Sequence, residues 1–196
     1  MKRDELEELH YITPISNVPS IISRGILSHN QSRKLMPDSV AMAEIQELRA
    51  NITVPRGRRL HDFANLYICA RNPMLYKRRN NHLTLCILVV SPDVLDIPGT
   101  VITDGNAASD YTLFVNSPNG LRIVDKELTF AEYWTHADQI EAWRHRRMKC
   151  AEVLVPDRIP PEYILGAYVS CDEAKVTFEA TGVNIPVTIN AHLFFR

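Results

Sequence analysis

The sequence is poor in glycine, has no closely spaced cysteine pair and carries no long apolar run. Glycine occurs 7 times in 196 residues, and none of these falls into Gly-x-Gly-x-x-Gly, a phosphate-binding loop or Gly-x-Ser-x-Gly. Such patterns wrap backbone N–H groups around a pyrophosphate or raise a serine nucleophile on a tight turn. Their absence disfavours a Rossmann dehydrogenase, a P-loop ATPase and an α/β-hydrolase. The four cysteines, Cys69, Cys86, Cys150 and Cys171, include no Cys-x-x-Cys pair. Neither a zinc site nor a dithiol redox motif is supported, and buried free thiols are expected. The apolar run Leu83 to Val90 is too short to span a bilayer and suits a buried strand. The segment MKRDELEELH has no apolar stretch of the secretory kind. No membrane association and a cytoplasmic location are therefore expected. Neither charge sign dominates: 22 Lys+Arg stand against 23 Asp+Glu, a net charge of -1. That disfavours a protein basic over its whole surface, but a local basic patch is still allowed.

Hydrophobic residues make up 45% and charged residues 23%, which suits one globular domain over residues 1–196 with a core that needs no disulfide or metal. Short apolar strands are expected around Leu9–Thr13, Leu66–Ala70, Leu83–Ser91, Val101–Thr103, Ala151–Val155, Leu165–Ser170 and Val187–Phe195. Asn17, with Pro19 behind it and Gly25 as a stop, frames a first helix. Asp38 opens an amphipathic stretch to Arg49, Asn72-Pro73 starts a short helix, and Asp138 to Arg147 is helical by composition. Ser170 with Glu173 reads as a capping box for a helix ending at Gly182. The mixed order predicts an α+β fold rather than a βαβ series. Segments 49–62 and 104–120 read as surface loops, and long ordered loops tend to carry function.

Glu152 is the most informative single residue. Alternation puts Ala151, Val153 and Val155 on one face of its strand and Cys150, Glu152 and Leu154 on the other. The strand leaves two readings open: a solvated or structurally paired carboxylate, or one held rigidly at a pocket as a catalytic group. Just before it, Trp143, Arg144, His145, Arg146, Arg147 and Lys149 follow Tyr133 and Trp134. Cations mixed with aromatic rings suit single-stranded nucleic acid, although most charge runs are solvated helix faces. Two further basic clusters are Arg71, Lys77, Arg78 and Arg79, and Arg56, Arg58 and Arg59. On the first strand, His10, Tyr11 and Thr13 can hydrogen-bond ribose hydroxyls or simply sit in a core. His61-Asp62 has no further ligand at metal-binding spacing, so no metal is expected.

Three blocks, LHYITPISNVPSIISRGILS, LHDFANLYICARNPMLY and CAEVLVPDRIPPEYILGAYV, resemble the signature blocks of the DarT family, in order, from about Leu9 to Val169. That family comprises DNA ADP-ribosyltransferase toxins of toxin–antitoxin systems. The resemblance implies an ADP-ribosyltransferase fold, with a split central β-structure, flanking helices and an NAD cleft. It implies transfer of ADP-ribose from NAD, as co-substrate, to thymine or guanine of single-stranded DNA. By position it gives Glu152 and Arg49 as catalytic residues. His10 or Tyr11 would contact NAD together with Thr13, Gly25, Leu27, Arg49 and Tyr67. The segment with Arg144, Arg146, Arg147 and Lys149 would engage DNA. Many members read Tyr-His-Ile-Thr where this chain reads His10-Tyr11-Ile12-Thr13, so either residue could face the ribose. A separate antitoxin that removes ADP-ribose, and a monomeric enzyme, are further expectations. Two alternatives remain open: ADP-ribosyl chemistry on RNA, as in RNA 2′-phosphotransferase relatives, and a non-catalytic module that binds single strands.

Overall fold

The computed structural model describes residues 1–35, 43–54 and 57–196. Among these, the strands are β1 (Leu9–Pro14), β2 (Ile26–Leu27), β3 (Phe63–Tyr67), β4 (Leu85–Val90), β5 (Val101–Thr103), β6 (Phe114–Asn116), β7 (Glu152–Pro156), β8 (Arg158–Ile159), β9 (Ile164–Val169) and β10 (Val187–Ile189). The α-helices are α1 (Val18–Arg24), α2 (His29–Ser32), α3 (Ala43–Asn51), α4 (Pro73–Lys77), α5 (Lys126–Phe130), α6 (Gln139–Met148) and α7 (Asp172–Glu179). None of the described helices is long and apolar enough to cross a membrane.

Eight strands form one sheet in the order β10-β9-β4-β1-β3-β7-β5-β6, while β2 pairs with β8. The two halves of the large sheet are joined unequally. β1 pairs with β4 from Leu9↔Val90 to Pro14↔Leu85, and β3 pairs with β7 from Phe63↔Pro156 to Tyr67↔Glu152. Between β1 and β3 the only registered pair is His10↔Tyr67. The fold is thus α+β with flanking helices, and its sheet is split at the β1/β3 seam.

The apolar pattern explains the layers. Ala151, Val153 and Val155 enter the main core with Leu66, Leu88, Ile102 and Phe178, while Leu154 packs on the opposite side with Val54, Leu60 and Phe63. β4 is buried along its whole length because apolar clusters cover both of its faces. Each such Leu or Val contributes about 1.5–3 kcal/mol of transfer free energy. Gly25 ends α1 at φ +89°, where a Cβ would lie 2.2 Å from the Ile159 carbonyl oxygen. Asn72 caps α4 by accepting from the Met74 and Leu75 amides at 3.0 and 3.1 Å. Asp138 caps α6 through the Glu141 amide.

Several expectations are corrected. Asn17 starts α1 without capping it, since its amide donates to Thr13 Oγ1 at 3.3 Å. Ser170 makes no capping box: it is buried and donates to the His82 carbonyl, and α7 follows Cys171 and ends at Glu179. The strand expected at Leu66–Ala70 lies at Phe63–Tyr67, where β7 supplies its partner. Only Val187–Ile189 of the last expected strand pairs; Phe194 instead turns into the core beside Leu75 and Leu85. Segment 104–120 is not all surface, because it contains β6 and the buried Asp104 and Ala107. Of the cysteines, only Cys171 is not buried. Asp38 and Arg56 lie outside the described residues.

Candidate active site

Glu152 opens β7 and is 1% exposed. α3 brings Arg49 against it, and the two form a bidentate pair, Nη1 to Oε1 at 3.2 Å and Nη2 to Oε2 at 3.1 Å. The Ala107 amide donates a third bond to Oε1 at 2.9 Å. The Glu152 backbone amide donates to Thr103 Oγ1 at 3.0 Å. The solvated reading of the carboxylate is therefore excluded. Burial works against the charge on Arg49, but neighbouring Glu152 overrides it and raises the guanidinium above its ordinary range. Tyr67, opposite Glu152 across the β3–β7 ladder, has its phenol pushed well up by burial and then by the Glu152 charge, so it stays neutral.

Arg49 and Tyr67 of this group line a cavity of about 650 Å³, whereas Glu152 itself is not among its lining residues. β1 contributes Tyr11, Ile12, Thr13 and Pro14, β3 contributes Phe63, Asn65 and Tyr67, and α3 contributes Arg49. These are the strands that part beyond His10↔Tyr67, so the split in the sheet opens the cavity. Gly25 and Leu27 also line it, as do Lys77 and Arg78 of the second basic cluster. Its size and mix of polar and apolar walls suit a small-molecule site.

Of the two first-strand candidates, Tyr11 reaches the cavity and His10 does not. His10 is 6% exposed and its Nε2 is bonded to Glu8 at 3.0 Å. Of the alternatives His10 or Tyr11, the fold thus places Tyr11 at the cavity, since alternation turns neighbouring side chains apart. The histidines that do line the cavity, His29 and His61, stack at 4.1 Å between ring centroids. Burial, then the Arg33 and Arg49 charges, lowers His29. Burial, then His29 and Arg49, pushes His61 down to about 4. Among the described residues no three His, Cys, Asp or Glu side chains gather as a metal site.

The basic run divides. Arg144 and Arg146 are exposed on α6. Arg147 turns inward to a bidentate pair with Asp104 at 2.9 and 3.0 Å. Lys149 is 1% exposed and donates to the Thr129 and Ala131 carbonyls at 2.9 and 2.7 Å. Burial lowers the Lys149 ammonium. Of the four cations expected to engage DNA, Arg144 and Arg146 are thus presented to solvent, whereas Arg147 is paired with Asp104 and Lys149 spends its three donors on Thr129, Ala131 and Cys69. Arg71 and Arg79 lie over the Phe195 and Tyr76 rings, and Arg58 pairs with Asp157. Sequence reasoning missed Asp104, Asn106 and the Ala107 amide. Their only signal was the irregular segment after β5, since no side-chain pattern marks a backbone N–H.

Against known proteins, the family model described as "ssDNA thymidine ADP-ribosyltransferase, DarT" matches residues 10–195. The chain is 35% identical over 206 residues to a DNA ADP-ribosyl transferase–DNA ADP-ribosyl glycohydrolase fusion protein of Thermosipho africanus, covering 96% of the chain but 49% of that relative. It is 31% identical over 170 residues to a DNA ADP-ribosyl transferase of Thermus aquaticus, covering 80% of the chain and 72% of the relative. Among solved structures it superposes on Thermus sp. 2.9 DarT in complex with ADP-ribosylated ssDNA with a TM-score of 0.80 and 28% identity, over 98% of both chains. The same protein in complex with NAD+ gives 0.77 and 25%, over 96% of this chain and 98% of that one.

Proposed function

This chain belongs to the DarT family of NAD-dependent single-stranded-DNA thymidine ADP-ribosyltransferases, and on that footing we propose that Glu152 and Arg49 carry transfer of ADP-ribose from NAD to a thymine base with release of nicotinamide. The observation that carries this reading is the buried, bidentate Glu152–Arg49 pair, whose Arg49 lines a cavity of about 650 Å³.

The chemistry needs such a group. Breaking the nicotinamide–ribose bond builds positive charge on the ribose carbon, as in other glycosidic cleavages. A fixed carboxylate in a dry site stabilises that charge without reorganising. The ribose carbon then bonds to a base nitrogen, whose proton must leave. An ionised carboxylate has roughly four acceptor positions. Glu152 already accepts three bonds, from Arg49 twice and from Ala107, so one position remains for the ribose or that proton. Arg49 holds the carboxylate in one orientation. The hydroxyls of Tyr11 and Thr13 suit ribose, and the cations lining the cavity suit the pyrophosphate. A stacked, paired base is costly to extract, so a single strand is the cheaper substrate. Exposed Arg144 and Arg146 serve the DNA phosphates.

The reading keeps a monomeric, cytoplasmic enzyme that works without a metal. Its partner is an antitoxin that removes ADP-ribose, in line with the glycohydrolase fused to the Thermosipho transferase.

The test is label transfer from adenine-labelled NAD to matched DNA and RNA oligonucleotides, each containing one base type. Label on thymine-containing single-stranded DNA is expected. Label confined to guanine or to RNA, or no label at all, would overturn the proposal.

A further inference from the structure

We infer that Asp104 and Arg147 are positioning residues for the transfer: their ion pair clamps the loop after β5 so that the Ala107 amide meets Glu152. The inference rests on the reaction proposed above.

The ion pair is well buried and bidentate, at 2.9 and 3.0 Å, with side-chain exposures of 11% for Arg147 and 10% for Asp104. Such forks fix direction as well as distance. Asp104 also accepts from the Leu113 amide at 2.9 Å, which closes the loop on itself. Arg147 holds the loop at two further points. Its Nη1 donates to Thr112 Oγ1 at 3.4 Å, and its backbone carbonyl accepts from the Asn106 amide at 3.0 Å. Between these anchors Gly105 runs so close that a Cβ would sit 2.6 Å from Arg147 Nη1 and 3.0 Å from its carbonyl oxygen. Two residues beyond Gly105, the Ala107 amide donates to Glu152 Oε1 at 2.9 Å. At the loop's start, Thr103 Oγ1 bonds both the Gly105 carbonyl and the Glu152 amide. The loop is thereby built from α6 on one side and delivers one N–H to the carboxylate on the other. With its guanidinium forked onto Asp104 and turned toward the loop, the product of Arg147 is the placement of a backbone group. Because reacting groups must sit within a fraction of an ångström, a loop shift of about 1 Å costs roughly 100-fold in rate.

The variants are Asp104→Asn, Arg147→Lys, Arg147→Met, the Asp104→Asn/Arg147→Met pair and Gly105→Ala. Single-turnover label transfer is measured together with NAD and DNA affinities. Asp104→Asn and Arg147→Met should each lower the rate at saturation by about 10- to 100-fold and leave both affinities within about twofold. Arg147→Lys should fall between them and wild type, and the double variant should be no slower than either single. Gly105→Ala keeps both charges and should slow the reaction as well, which guards against a folding failure in the charge variants. In amide NMR spectra, the Ala107 N–H signal of Asp104→Asn should move as it does in Glu152→Ala, which removes its acceptor. Unchanged rates with only lowered melting temperatures would overturn the inference. So would additive losses, or a weakened DNA affinity with a salt slope reduced by about one, the mark of a phosphate contact. If wild-type protein labels no DNA, the proposed function fails; an Ala107 signal unmoved in Asp104→Asn would overturn the clamp regardless of activity.

Discussion

Replacing Glu152 by glutamine keeps the size of the side chain and removes its charge, and the structure fixes what that costs. Oε1 accepts from Arg49 Nη1 at 3.2 Å and from Ala107 at 2.9 Å, whereas Oε2 accepts only from Arg49 Nη2 at 3.1 Å. The amide oxygen of glutamine will take the Oε1 place, because that preserves two bonds instead of one. Its NH2 then faces Nη2, donor against donor. Removing one partner of a buried pair costs about 3–5 kcal/mol. Arg49 lines the cavity and can be partly rehydrated from it, which favours the lower end, about 3 kcal/mol. For a chain of this size that is a fall of roughly 6–12 °C in melting temperature. Transfer should drop by at least roughly 100-fold, the scale for losing one preorganised electrostatic group. Arg49→Met should destabilise similarly, and the double variant should recover about 0.5–3 kcal/mol of the summed loss because it leaves no orphaned charge. Thermal unfolding of the four proteins, with label transfer to thymine DNA, measures all of this. A glutamine variant that melts within about 2 °C of wild type and still modifies DNA, or a strictly additive cycle, would refute the assigned geometry.

Other consequences can be measured alongside. Lys149→Met should lower stability by roughly 2–4 kcal/mol, because it strips two buried carbonyls of their donor, and it should leave DNA affinity intact; loss of DNA binding without loss of stability would contradict its placement. Arg144→Ala and Arg146→Ala should do the reverse, weakening DNA capture and its salt dependence while changing stability by under about 0.5 kcal/mol. Gly25→Ala should be destabilising and raise the KM for NAD, since φ is +89° and the added methyl meets the Ile159 carbonyl at the cavity wall; a neutral effect in melting and kinetics would rule that out. His61 titrates near 4 in the fold against an ordinary 6.5, so the unfolded chain binds more protons between those values. Its contribution to stability is therefore complete above pH 6.5 and disappears as pH falls through about 4. Melting temperatures from pH 7 to 4 should decline less steeply in His61→Gln, and equal slopes would exclude His61 as the source.

Some of this protein was determined by sequence alone. The apolar stretch ending at Val90 predicts a strand buried on both sides, and its last six residues are the interior strand β4. The alternation through β7 puts Val153 in one core and turns Glu152 the other way, so an ionisable group in that strand needed a partner wherever the chain supplied one. Caps at Asn72 and Asp138 are local chemistry, readable within a few residues. The first two family blocks contain Tyr11, Thr13, Gly25, Leu27 and Tyr67, which the fold brings to one cavity together with Arg49.

What the tertiary structure decided is which partners meet. Arg49 and Glu152 are 103 positions apart, and Asp104 and Arg147 are 43 apart, so no periodicity links them. Arg146 and Arg147 look alike in a charge run, yet one faces solvent and the other is clamped inward, because successive residues of a helix point in different directions and Arg147 is the one turned to the loop. His10 and Tyr11 are equally polar neighbours, and the strand's pleat gave the cavity to Tyr11. The near-neutral total charge was uninformative for a related reason. Inside the fold, Arg49, Arg147 and Lys149 are held by specific acceptors, so counting cations cannot say how many are left for DNA.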